Sequence, residues 1–124
     1  MMEPRTGTYA TSVVAAKKHI IGANVVNAQN EDLGKIEDLA MDTENGRVAY
    51  AVLSFGGFMG MGDKLFAVPW NAFRFTADNK LLLNANKEVL KNAPGFDKNT
   101  WPDFANRSWG DNVYKHYGYK PYWE

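Results

Sequence analysis

The residues of this chain that could carry acid–base or nucleophilic chemistry are few and far apart. The chain has two histidines, His19 and His116, no cysteine, and no Gly-x-Ser-x-Gly sequence of the kind that presents a nucleophilic serine. A catalytic histidine also needs a carboxylate to orient it and a pocket for the substrate, and the sequence places neither. We therefore expect two histidines on the surface or in ordinary hydrogen bonds, no catalytic residues and no enzymatic activity.

Six acidic residues are concentrated between Glu31 and Glu44, at positions 31, 32, 37, 38, 42 and 44. Groups of carboxylate oxygens can bind calcium or magnesium. The spacing does not match that of an EF-hand loop, and turns and exposed strand faces commonly collect such residues. We therefore expect no metal site and no cofactor.

A glycine-rich segment at residues 56–62 could bring backbone amides close to a phosphate. A phosphate loop normally leads into a helix, whereas the residues after Asp63 have the pattern of a strand, so we expect a structural linker. The large side chains within it are Phe58, Met59 and Met61. They form either an adaptable contact surface, since thioether side chains repack easily, or a plug for one end of the core.

Residues 96–124 contain nine of the 17 aromatic residues, together with four acidic and four basic residues. Aromatic rings can stack on nucleic acid bases, but this segment has no excess of cations to hold the phosphates, so packing or dimerisation is the favoured role. The candidate contact surface therefore consists of Phe58, Met59, Met61, Trp101, Phe104, Trp109, Tyr114, Tyr117, Tyr122 and Trp123.

The elements that must position these residues are mostly strands, because the apolar residues from His19 to Leu83 come in short bursts separated by turn residues. We predict strands at 20–28, 35–42, 47–55, 64–69 and 81–83, a short helical turn at 71–73, and a helix at 87–92 capped by Asn86. The third strand is apolar on both faces and should be central.

Local signals predict the connections between these elements. Asn45-Gly46 predicts a type I′ hairpin, and Gly34 can supply a positive φ in the preceding turn. The second strand breaks its apolar alternation, which predicts a β-bulge near Glu37 or Asp38. In residues 96–124 we predict a short helix with Ser108 as N-cap and Asp111 at N3, whose inner face carries Trp109, Val113 and Tyr117 and whose C′ residue is Gly118.

Length and charge limit the class of protein. The chain has 124 residues, which suits one domain, and 14 basic residues balance 14 acidic ones, so direct binding of nucleic acid is not expected. No apolar run is long enough to span a membrane or form a signal peptide core, so we expect a cytoplasmic protein. Residues 1–16 have no sustained apolar period and are predicted to be a flexible leader.

Several segments together resemble the PRC-barrel family over residues 17–95. They are His19-Ile20-Ile21-Gly22, Asp32-Leu33-Gly34-Lys35-Ile36-Glu37-Asp38, Asn45-Gly46-Arg47, Phe55-Gly56-Gly57-Phe58-Met59-Gly60-Met61-Gly62-Asp63-Lys64 and Val68-Pro69-Trp70. The resemblance implies a mainly β fold, a small, strongly bent barrel of about six strands with a short closing helix. Residues 96–124 look like the partly helical extension of bacterial stand-alone members, packing on the barrel or on a second subunit.

The family is best known from the photosynthetic reaction-centre H subunit and from a 16S ribosomal RNA maturation factor that contacts a ribosomal protein. Fold similarity alone does not transfer either role. The leading hypothesis is a non-enzymatic module that acts through protein contacts, with a homodimer as the expected state. The alternatives are a ribosome-maturation or RNA-metabolism factor that binds a ribosomal protein, and support of electron transfer or small-ligand binding in the manner of the H subunit.

Overall fold

Six short strands form one curled, half-barrel sheet in the computed structural model, which describes residues 13–55, 64–76, 78 and 80–124. The strands are β1 (Asn24–Val26), β2 (Asp32–Asp42), β3 (Arg47–Phe55), β4 (Lys64–Pro69), β5 (Phe73–Phe75) and β6 (Leu81–Leu83). Their order across the sheet is β4-β3-β2-β1-β6-β5, antiparallel except for the parallel pair β1 and β6. The predicted mainly β class is confirmed.

The helices are short. A π-helix spans Ala16–Ile20, a 3-10 turn spans Trp70–Ala72, and two α-helices follow, α1 (Lys87–Lys91) and α2 (Arg107–His116). The Asn86 side chain accepts a hydrogen bond from the backbone N–H of Val89 at 2.9 Å, so the predicted cap of α1 is confirmed. No helix in the described ranges is long and apolar enough to cross a membrane.

The prediction for the first strand was too long, since the strand covers only residues 24–26 and not 20–28. The π-helix replaces its beginning and buries Ile20 in the core. Burial of this one side chain outweighs the β-propensity of the two consecutive isoleucines. The predicted flexible leader lies outside the described residues up to position 12.

Two irregularities curve the pair formed by β2 and β3. Ile36 pairs with Leu53 and Asp38 with Val52, so Glu37 is an extra residue, as the broken alternation predicted. A second irregularity lies on β3, where Ala40 pairs with Tyr50 and Met41 with Val48. It leaves Ala49 without a counterpart on β2.

The hairpin between β2 and β3 is confirmed, but the predicted type I′ turn is wrong. Asp42 pairs with Arg47, so the loop has four residues, and Gly46 has a positive φ of 63° whereas Asn45 does not. The Asp42 carboxylate accepts hydrogen bonds from the backbone N–H groups of Glu44 and Asn45, each at 3.0 Å. This side chain organises a longer turn that the Asn-Gly pair alone does not specify.

Gly34 allows a close approach between the backbones of β2 and β3. Its φ is +111°, so the predicted positive φ is confirmed, but Gly34 lies within β2 and not in the turn before it, because the strand begins at Asp32 and not at Lys35. A Cβ at this position would lie 2.0 Å from the carbonyl oxygen of Ser54 on β3. Only glycine satisfies both the dihedral angle and the contact.

The central strand β3 is buried from Ala49 to Phe55, as its apolar faces predicted. On one side it pairs with β2 and on the other with β4. Beyond β4, Leu65 and Phe96 exchange two backbone hydrogen bonds of 2.9 and 2.8 Å, so the first residue of the C-terminal segment covers part of that edge. The segment 96–124, called the extension below, is thereby joined to the sheet of its own chain.

Candidate contact surface

The α2 helix places the extension on the sheet. Its N-cap is Asn106, whose side chain accepts a hydrogen bond from the Trp109 N–H at 3.1 Å, so the predicted cap at Ser108 is wrong. Asparagine is at least as good a cap as serine, and starting at Arg107 lengthens the helix by two residues. Val113 and Tyr117 are buried and Trp109 is half-buried, so the predicted inner face is correct.

Tyr114 makes the central contact between the extension and the sheet. Its side chain is fully buried, and its hydroxyl donates a 2.8 Å hydrogen bond to the carbonyl oxygen of Ala49, the residue without a counterpart on β2. Burial raises the pKa of this tyrosine, so the hydroxyl remains protonated and can donate. The sequence left open whether the extension packs on its own chain or on a second subunit. In the structure Tyr114 packs on β3 of its own chain.

Tyr50 on β3 is the centre of an aromatic cluster. Its ring lies 5.2 Å from that of Trp109, 5.5 Å from that of Tyr114 and 5.9 Å from that of Phe104, measured between centroids. The three rings come from the extension, and such tilted and edge-on contacts add to the free energy of burial. The α2 helix can approach this closely because residue 110 is glycine, whose missing Cβ would lie 2.4 Å from the Tyr50 hydroxyl oxygen.

The end of the extension returns to the β2–β3 hairpin. The Tyr122 hydroxyl donates a hydrogen bond to the Asp42 carboxylate, and the Arg47 guanidinium lies 4.3 Å from the centre of the Tyr122 ring. The hydrogen bond from Tyr122, followed by those from Asn45, lowers the pKa of Asp42 to about 2. Asp42 is therefore ionised and joins the turn to the extension.

Between the hairpin and the extension lies a groove of about 550 Å³. One wall comes from β2, β3 and the turn between them, and the other comes from the extension. The first wall is Ala40, Met41, Asp42, Thr43, Glu44 and Ala49, and the second is Pro102, Asp103, Phe104, Ala105, Arg107 and Tyr122. Neither half of the chain forms this groove without the other.

Exposed apolar side chains border the groove. Among the described residues the large hydrophobic side chains with the highest exposure are Val13, Met41 and Trp101. Met41, 54% exposed, lines the groove, and Trp101, 40% exposed, precedes its Pro102 and lies 6.1 Å from the ring of Phe104. Exposed apolar side chains beside a groove are a common feature of contact sites.

The ten candidate contact residues fall into four groups. Phe58, Met59 and Met61 lie outside the described residues. Tyr114 and Tyr117 are buried within the chain, whereas Phe104, Trp109, Tyr122 and Trp123 are half-buried and Trp101 is exposed. Phe104 and Tyr122 line the groove, and Trp101 flanks it. The sequence analysis did not include Met41, because Met41 continues the apolar pattern of the second strand and so resembles a core residue.

The two histidines bond to backbone groups. The Nδ1 atom of His19 accepts from the Ala15 N–H at 3.0 Å, and the carbonyl of Val89 lies 2.7 Å from Nε2 of His116. In the part of the chain that the structure describes, no three histidine or acidic side chains come together as a metal site.

Comparison with known proteins identifies the sheet. Residues 15–90, more than half of the chain, match the PRC-barrel domain family. No curated protein matches the chain. The match ends before the extension, so the groove lies at the boundary between the family domain and the residues that follow it.

Proposed function

The chain belongs to the PRC-barrel family, and we propose that it is a non-enzymatic member that acts by binding another protein in the groove between its hairpin and its extension. The observation that carries this proposal is the position of Met41 and Trp101. Met41 lines the groove, and Trp101 flanks it, since Trp101 precedes Pro102 of the groove wall and its ring contacts that of Phe104.

The groove has the composition of a protein contact. Its more buried lining residues include the small or aromatic Ala40, Ala49, Phe104 and Tyr122, whereas Glu44, Asp103 and Arg107 are exposed, which is the arrangement of an apolar centre with a polar rim. Methionine suits such a surface because its side chain adapts to different partners. Asp42, Glu44 and Asp103 also line it, and carboxylates repel the phosphates of a nucleic acid.

The chemistry of the described residues supports a role in binding. Each histidine hydrogen-bonds to a backbone group, His19 to the Ala15 N–H and His116 to the Val89 carbonyl. Neither of these bonds joins a histidine to a hydroxyl nucleophile or to a carboxylate. Tyr50, Tyr114 and Tyr117 are buried among the core residues, and this burial raises their pKa values.

Site-specific photo-crosslinking in living cells tests the proposal. A photoreactive residue replaces Ala105, which is exposed and lines the groove, and a control places it at Asn112, which is exposed on α2 and does not line the groove. We expect a covalent protein adduct from position 105 alone, and its loss when Met41→Glu is added. Asn112→Glu, which adds the same charge elsewhere, should leave the adduct. Equal adducts from both positions, or none from position 105, would reject the proposal.

A further inference from the structure

The groove has a surplus of negative charge above an apolar floor. Among the described residues that line it, Asp42, Glu44 and Asp103 are acidic and Arg107 is basic, and the Arg47 guanidinium lies beside the groove on the Tyr122 ring. The Arg107 guanidinium is already engaged, since it lies 4.4 Å from the centre of the Trp123 ring. A complementary occupant must bring cationic groups together with an apolar side chain.

The chain itself carries a segment with that chemistry. Lys17 and Lys18 form the one adjacent pair of basic residues in the sequence, and both are exposed on the π-helix. Neither makes an ion pair with another residue in the described ranges. Val13, four positions before Lys17, is fully exposed. We call residues 13–18 the basic segment.

The basic segment and the groove lie at opposite ends of β2. The Gly22 N–H donates to the Ile36 carbonyl at 2.7 Å, and the Ile36 N–H donates to the Ala23 carbonyl at 3.1 Å, which holds the turn after the π-helix beside Ile36. Asp42 is six residues further along the strand, a distance of about 20 Å. With Ile20 anchored in the core, the segment is held away from the groove of its own chain.

We propose that the groove binds the basic segment of a second copy of this chain, and that two such contacts form reciprocally in a symmetric homodimer. The proposal rests on the proposed function and adds to it the identity of the partner and of the segment that binds. Lys17 and Lys18 face the groove carboxylates, and Val13 covers the apolar floor beside Met41. The net formal charge of zero leaves no long-range repulsion between two copies.

Charge exchange between the two surfaces tests this dimer. Lys17→Glu/Lys18→Glu reverses the basic segment, and Glu44→Lys/Asp103→Lys reverses the groove. All four residues are exposed, so the fold should persist, and circular dichroism checks it. Lys64→Glu/Lys120→Glu is the matched control, because both lysines are exposed and neither lines the groove. Mass is measured by analytical ultracentrifugation across a concentration series.

We expect the unaltered protein and the control to dimerise, and each reversed variant alone to dimerise at least about tenfold more weakly, because like charges then meet in both contacts. An equimolar mixture of the two reversed variants should recover the dimer, since both contacts of the mixed dimer again join opposite charges. The unaltered dimer should also weaken as salt is raised.

Three results would overturn the inference: reversed variants that dimerise as tightly as the control, a mixture that stays monomeric, or an unaltered protein that is monomeric throughout. If one of these appears while the Met41-dependent adduct at position 105 persists in cells, the groove binds a different protein and the proposed function stands. If that adduct is also absent, both proposals fail.

Discussion

The Tyr114 hydroxyl donates its hydrogen bond to the carbonyl oxygen of Ala49, 65 residues earlier in the chain. Ala49 is the residue that a β-bulge leaves without a counterpart on β2, so the extension supplies a donor that the neighbouring strand does not. The extension is thereby bound to the sheet by a specific polar contact within an aromatic cluster, and this contact fixes one wall of the groove.

Removing this hydroxyl should destabilise the protein. Tyr114→Phe leaves the buried Ala49 carbonyl unsatisfied, and we expect the free energy of unfolding to fall by about 1–3 kcal/mol in urea denaturation followed by tryptophan fluorescence. Tyr50→Phe is the matched comparison. The Tyr50 hydroxyl is buried and makes no hydrogen bond to the described part of the chain, so its loss should be neutral or stabilising. Equal losses in both variants would contradict this assignment.

Gly110→Ala should destabilise the protein although alanine favours helices. At an open helical site this change stabilises by about 1 kcal/mol. Here the new Cβ would lie 2.4 Å from the Tyr50 hydroxyl oxygen and 2.7 Å from a ring carbon of Trp123, so we expect a net loss of about 1–3 kcal/mol. Adding Tyr50→Phe removes the nearer atom and should recover part of the loss. A Gly110→Ala protein with a raised Tm would show that the helix packs less closely.

Gly34→Ala should be more damaging than a change at another glycine of positive φ. The new Cβ would meet the Ser54 carbonyl oxygen at 2.0 Å, and neither partner is a flexible side chain, so we expect a loss of about 3 kcal/mol or more. Gly22→Ala is the control, because its φ is +85° but nothing lies within 4 Å of the new Cβ. It should lose only about 1–2 kcal/mol through backbone strain. Thermal melts of the two variants compare them, and similar losses would contradict the close approach.

Asp42 should make stability sensitive to acid. The Tyr122 hydroxyl, and then Asn45, lower the pKa of Asp42 from 3.8 to about 2, so the folded state binds this proton more weakly than the unfolded state does. The stabilisation is complete above about pH 4 and is lost as the pH falls towards 2. Asp42→Asn should flatten the stability profile in that window, measured by urea denaturation at successive pH values.

Two variants check the assignment of the acid-sensitive window. Tyr122→Phe removes the largest cause of the lowered pKa, so the loss of stability on acidification should become smaller and be confined to pH values nearer 4. Glu44→Gln changes a neighbouring exposed carboxyl and should leave the window in place. If Glu44→Gln and Asp42→Asn change the pH dependence of stability equally, the acid-sensitive window belongs to the turn as a whole and not to Asp42.

Much of the sheet follows from local patterns in the sequence. Strand alternation and apolar faces predicted β3 and β4 with their observed bounds, the broken alternation predicted the extra residue at Glu37, and Asn86 was identified as the cap of α1. These features depend on side chains and backbone groups within a few residues of one another. Short stretches of sequence are therefore enough to predict them.

The tertiary structure decided two features, the π-helix that replaces the beginning of the predicted first strand and the groove. The π-helix places Ile20 in the core, and the groove brings Asp42 next to Tyr122, which lies 80 residues later in the chain. The hairpin turn, in contrast, is organised by local hydrogen bonds from Glu44 and Asn45 to Asp42, a signal that the Asn-Gly pair concealed. Composition showed that the extension is aromatic, but which of its rings would be buried depended on Tyr50, Ala49 and Gly110 meeting in space. Contacts between residues so far apart leave no periodic pattern in the sequence, because each partner is chosen by the packing of the other.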